Sequence, residues 1–182
     1  ILEEAKSISA SEPKLSFDMS KKAYSISKKK KLENEEAYSL LVMALACRSM
    51  SNIKDCIKYS YQALKIYENI QDYLGQAKAL NLIGIVYFYY AMYGQALENF
   101  EKSAILLEDI KDNSYLLSCV LNNIGEVYRE ANDYNRSLAT FDRCLNITEN
   151  SIYKINTAAI YSNIGKVYIK EKKYSTDLNF FK

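Results

Sequence analysis

The side chains here that could do chemistry are 22 carboxylates, 24 basic groups, four cysteines and 17 tyrosines, with no histidine among them. Without histidine there is no general base of the kind that titrates near neutral pH and no residue to complete a mixed zinc site. Cys47, Cys56, Cys119 and Cys144 show no CxxC spacing. They read as small buried apolar residues of a reducing compartment rather than as disulfide or metal partners. The acids recur at helix-surface spacing, with no paired-carboxylate motif, glycine-rich phosphate loop or nucleophile elbow. The residues therefore predict no catalytic, metal or cofactor site. What they offer is noncovalent: amide hydrogen bonding, charge pairing and aromatic packing.

A net charge of +2 supplies no field to gather nucleic acid or anionic lipid. The run Lys28 to Lys31 is followed by Glu33, Glu35 and Glu36, which reads as a helix C-terminus with cations on its dipole. No apolar run approaches the ~18 residues of a membrane span, and Ile1 to Lys6 lacks the form of a signal peptide. A cytoplasmic protein without membrane or nucleic-acid partners is expected. Because the chain begins at isoleucine and Asn179 to Lys182 reads as the opening of a further helix, it is expected to be a piece of a longer protein. Two glycosylation triplets, Asn135 to Ser137 and Asn146 to Thr148, carry little weight.

The elements that position these groups are repeats. Asn81 to Tyr87, Asn122 to Tyr128 and Ser162 to Tyr168 are copies of one pattern, with Gly84, Gly125 and Gly165 spaced 41 and 40 residues apart. Tyr93, Tyr134 and Tyr174 each follow nine residues after the glycine. A period of this length marks a solenoid. Hydrophobic residues at 49%, one proline and five glycines suit an all-helical array. Ala79, Leu80, Ile83, Val86 and Tyr87 form one helical stripe, and Ala96, Leu97, Phe100 and Ala104 a second, so each unit predicts a helical hairpin. Glycine within a helix costs about 1 kcal/mol relative to alanine, so its recurrence predicts a close helix crossing. Turns are predicted at Met92 to Gly94, Asn132 to Tyr134 and Lys172 to Tyr174.

The order Leu80, Ile83-Gly84, Tyr87, Tyr93, Ala96, Phe100 resembles the tetratricopeptide repeat, as do Leu121, Ile124-Gly125, Tyr128, Tyr134, Ser137, Phe141 and Tyr161, Ile164-Gly165, Tyr168, Tyr174, Phe181. Asp177 departs from the small residue of the pattern, and no proline closes the second helices. The long period is similar to that of kinesin light chains and bacterial sensor proteins. A weaker copy sets Ala44 at the glycine position, with Leu40, Met43, Cys47, Ile53, Cys56 and Ala63 in register. The frame is then a degenerate hairpin over 1–36, repeats over 37–76, 77–117 and 118–157, and an incomplete repeat over 158–182, all in one right-handed superhelical solenoid of antiparallel hairpins.

In such arrays the first helices line a concave groove. The resemblance implies that Lys78, Asn81, Ile85, Phe88 and Tyr89 face it, then Asn122, Glu126, Arg129 and Glu130, then Ser162, Lys166, Ile169 and Lys170, with Arg48 from the weak copy. Asn81, Asn122 and Ser162 occupy one equivalent position, and amides there could pair with the backbone of an extended peptide. Asn123 and Asn163, one position on, read more naturally as bridges between helices. Arg48, Arg129, Lys166 and Lys170 would attract an acidic group, with Ile85, Phe88 and Tyr89 as an apolar pocket. The two-carboxylate clamp of chaperone-binding members is not fully reproduced.

The implied function is a protein- or peptide-binding scaffold without catalysis of its own. The Lys-, Asn-, Ile- and Tyr-rich composition resembles that of AT-rich bacteria, where such repeats serve as sensory regions of signalling proteins or as peptide-pheromone receptors. The alternatives are the regulatory arm of an enzyme, such as a diguanylate cyclase or kinase beyond Lys182, and a self-association module forming a homodimer through the C-terminal end.

Overall fold

A computed structural model of the chain describes residues 1–110, 113–149 and 157–180, with the side chains of residue 149 and of 173–180 excepted. Its helices are α1 (Leu2–Ser7), α2 (Pro13–Lys30), α3 (Glu33–Ser49), α4 (Ile53–Asn69), α5 (Tyr73–Tyr89), α6 (Tyr93–Glu108), α7 (Ser114–Glu130), α8 (Tyr134–Glu149) and α9 (Thr157–Phe180). No strand occurs among the described residues, as expected of an all-α chain. Two compact units form, Ile1–Leu106 and Leu107–Lys182.

The hairpins turn by one repeated device. Lys31, Ser51, Gln71, Ala91 and Asn132 adopt left-handed backbone with φ of 54 to 61°. In each case the next residue's N–H reaches back to a carbonyl five positions earlier, as in Asn52 to Cys47 (2.9 Å), Asp72 to Tyr67 (2.9 Å) and Asp133 to Tyr128 (2.9 Å). This is the Schellman closure of a helix end. Where the residue after the left-handed one is Asn or Asp, its side chain then caps the following helix. Asp72 accepts from the Gly75 N–H at 2.9 Å and Asp133 from the Arg136 N–H at 3.0 Å. None of the five left-handed residues is glycine, although a side chain there costs about 1 kcal/mol or more. Gln71→Gly is therefore expected to stabilise the protein by about 0.5–1 kcal/mol in a thermal melt, the opposite of its effect inside a helix.

The core lies between paired helices. A Cβ built on Gly84 would meet the Phe100 ring at 2.6 Å, and one on Gly125 would meet Phe141 at 2.5 Å. The two rings are 1% and 0% exposed. The recurring glycines in α5 and α7 are thus seats for the phenylalanine of the second helix. Small polar residues close the same interfaces. Ser137 donates to the Gly125 carbonyl at 2.8 Å, Ser103 to the Ala77 carbonyl at 2.8 Å, and the Cys144 thiol to the Ser118 carbonyl at 3.0 Å. The hydroxyls of both glycosylation triplets are consumed this way, since Thr148 is 2% exposed and bonds to Cys144.

The weak copy packs as fully as the strong ones: Leu40, Met43, Ala44, Cys47, Cys56 and Ala63 are all buried. Upstream, α2 starts at Pro13, whose fixed φ suits a first helical position, and Ser16 ties it to α1 through the Ala5 carbonyl at 2.7 Å. The lysine run ends α2 as predicted.

The last unit departs from expectation. Instead of turning at Lys172 to Tyr174, α9 continues to Phe180, and a Cβ on Gly165 would meet nothing within 4 Å. The physical reason is local. The residues of Glu171-Lys172-Lys173 favour helix interiors, and none is an Asn or Asp of the kind that caps the next helix at Asn52, Asp72 and Asp133. Tyr174 and Asp177 have side chains outside the described ones, and Phe181 lies outside the described residues altogether.

Candidate functional site

In the first unit, the predicted groove residues lie on α3 and α5. Ile85, Arg48 and Asn81 are half-buried, and Asn81 is engaged by a neighbour. Phe88 packs against Tyr93 with ring centroids 5.9 Å apart and against Tyr89 at 6.4 Å. Tyr89 itself is 72% exposed. Toward the start of the unit, α1 engages these first helices: Tyr38 donates to the Glu3 carboxylate at 2.7 Å, and the Lys6 ammonium lies 6.0 Å from the Tyr38 ring centroid. Burial holds Lys78 below the ordinary lysine range, with Lys6 adding repulsion.

In the second unit, α7 and α9 form a polar row. Asn163 donates to the Asn122 side-chain oxygen at 3.0 Å, and Lys166 donates to the Asn163 oxygen at 2.9 Å. Ser162 is exposed, so the bridge to Asn122 comes from the next residue, as the helix-bridging reading of Asn163 anticipated. One helical turn on, Glu130 receives Arg129 at 2.8 Å and Lys170 at 2.6 Å on its two oxygens. Burial alone would raise the Glu130 carboxyl, but the Lys170 ammonium and Arg129 guanidinium together hold it below the usual range. Arg129 is only 8% exposed, so it supports the row from beneath, with its Nε buried and unpaired among the described residues. Two cations sharing one carboxylate leave this end of the row with surplus positive charge, increased by exposed Lys166.

Sequence reading did not single out a cleft of about 530 Å³ within the first unit, between α4 and α6 over α5. Its walls include Leu64, Leu80, Glu68 and Ile105, and the Tyr61 and Tyr87 hydroxyls meet at 3.3 Å. Only the side-by-side placement of two second helices creates it. The cysteines are free thiols. Burial pushes Cys47 up to about 11 and Cys144 up to about 12, so both are protonated and unreactive at neutral pH. No described helix is long and apolar enough to cross a membrane.

The repeat geometry agrees with a comparison of sequences: the tetratricopeptide repeat family model matches residues 35–108 and 116–181. The chain belongs to the tetratricopeptide repeat family. Among curated relatives, this tetratricopeptide chain is 26% identical over 137 residues to the transcriptional activator NprA of Geobacillus stearothermophilus. That match covers 75% of the chain but 34% of NprA, so the chain spans about a third of its relative. Among solved structures, the apo form of RapI superposes with a TM-score of 0.76 at 20% identity, over 94% of this chain and 47% of RapI. The TPR-like kinesin-light-chain repeats of a Podosopora anserina protein give 0.73 at 9% identity, over 99% and 89%. BtubC of P. vanneervenii gives 0.67 at 19%, over 75% and 57%. At these identities the tetratricopeptide structures speak for fold alone.

Proposed function

We propose that this tetratricopeptide chain is a protein- or peptide-binding scaffold that serves as the sensory or regulatory region of a longer bacterial signalling protein. The observation that carries the reading is the polar row on α7 and α9, where Asn122, Asn163 and Lys166 are linked beside the Arg129–Glu130–Lys170 cluster. Amide and ammonium donors at successive turns suit the carbonyls of an extended peptide, and the surplus of cations favours one bearing acidic side chains or a terminal carboxylate. Regulation is supported by the relative NprA, a transcriptional activator about three times the matched length.

The test is fluorescence anisotropy with two labelled octapeptide pools, one enriched in Asp and Glu and one in Lys and Arg. The acidic pool is expected to bind, and Lys166→Glu to weaken it about tenfold or more while moving the melting temperature little, because Lys166 is exposed. Raising salt should weaken it further. Equal binding of both pools, or an acidic pool indifferent to Lys166→Glu, would remove this face from the function.

A further inference from the structure

The cleft between α4 and α6 is lined by polar groups with a common bias. Asn99 borders it and is only 9% exposed; its side-chain nitrogen is spent on the Gln95 carbonyl at 2.8 Å, which leaves its oxygen as the group on offer. Gln76 repeats the arrangement, its nitrogen donating to the Tyr67 carbonyl at 3.1 Å. Glu68, the next residue along from Tyr67, brings a carboxylate that makes no ion pair among the described residues. It stands in the last turn of α4, where the helix dipole is negative and no basic residue answers it. Lys102, a cation of the same walls, is paired with Glu98 at 2.7 Å. The cleft therefore holds a surplus of acceptors and a negative charge without its counter-charge.

Between these groups the lining is apolar. Leu64 and Leu80 are each 8% exposed, and Ile105, at 63%, is an exposed apolar edge. Beyond them the hydroxyls of Tyr61 and Tyr87 meet at 3.3 Å. Tyr61 and Glu68 lie seven residues apart on α4, about 10 Å along the helix. A volume of about 530 Å³ is that of a site for a small organic molecule, for which roughly 300–1,000 Å³ is usual.

We propose that this cleft binds a small organic cation, with its ammonium group against Glu68 and Gln76, a flat apolar body along the two leucines and Ile105, and a hydrogen-bond donor toward Asn99 and the tyrosine hydroxyls. An ammonium group is all donor and answers a set of acceptors, while the tyrosine rings pack against a flat body. An anion of the same shape would meet Glu68 with no unpaired cation to hold it. The site lies within the first unit and does not rest on the polar row of the second.

Tryptamine is a suitable probe, because the chain has no tryptophan and the indole can be excited selectively. Its fluorescence anisotropy, measured against increasing full-length chain, is expected to rise to saturation. Tryptophol, with a hydroxyl in place of the ammonium, should bind about fivefold more weakly, the size of an exposed charge pair, and indole-3-propionate more weakly still. Glu68→Gln should lower tryptamine to the level of tryptophol. Ile105→Lys, which sets a cation in the wall and removes apolar contact, should weaken tryptamine about tenfold. Both positions are exposed, so the melting temperatures of the variants should match wild type. Equal affinity for the three probes would overturn the proposal, as would tryptamine binding indifferent to either variant. So would an absence of saturation up to about 5 mM, beyond the millimolar range of weak small-molecule sites.

Discussion

Phe100→Ala is expected to destabilise the protein by about 3–5 kcal/mol in urea unfolding, the range for emptying a fully buried aromatic site. The companion variant makes the result specific to this fold. Gly84→Ala would ordinarily strengthen a helix by about 1 kcal/mol, yet here it should cost about 1–3 kcal/mol. The new methyl would stand 2.6 Å from two ring carbons of Phe100, and the ring, 1% exposed, has nowhere to retreat. If the two residues form one packing unit, the double variant loses less than the sum of the singles, because alanine at 100 makes room for the methyl at 84. Gly125 and Phe141 should repeat the pattern in the second unit. Full additivity at either pair would mean that the seat is not what holds the hairpin together.

Glu130→Gln should produce the second large effect. The side chains of Arg129, Glu130 and Lys170 are 9%, 27% and 38% exposed, so removing the shared carboxylate leaves a buried guanidinium facing an ammonium without compensation. Breaking a buried pair typically costs 3–5 kcal/mol, and the partial exposure of Glu130 reduces the expectation to about 2–3 kcal/mol. The effect has a pH signature. Glu130 is held below its ordinary value of 4.5, so its contribution is present above that pH and is lost as pH falls through the lowered value. Melting temperatures of wild type and Glu130→Gln should differ most near neutrality and converge in the acid range below about 4.5. A gap unchanged down to that range would assign the loss to packing instead of charge.

The helices and their pairing were legible because each copy solves the same local problem with the same residues. An apolar stripe of helical period and a glycine matched to a phenylalanine sixteen positions later needed only comparison of the chain with itself. The weak copy around Ala44 was recognisable for the same reason, and its buried positions are those of the strong copies. The turns were legible only in part. Their positions follow from the period, but the left-handed residues are Lys, Ser, Gln, Ala and Asn, with no glycine to announce them.

The candidate site was less legible, because a one-residue difference on a helix is a rotation of about 100°. Asn122, Asn123, Ser162 and Asn163 are nearly equivalent as a string, and only the packing of α9 beside α7 decides that Asn163 reaches Asn122 while Ser162 faces outward. The same dependence places Arg129 under the row instead of on it and opens the cleft between α4 and α6. α9 is a different case, a local one, in which an unbroken run of helix-favouring residues carries the backbone past a position that the period marks as a turn. By itself the sequence determined the class of fold, the repeat and the seats of its core rings, since these depend on contacts repeated at fixed separation. The tertiary structure alone decided which polar groups meet and which cations are buried, since those depend on how neighbouring helices are rotated and on what covers them.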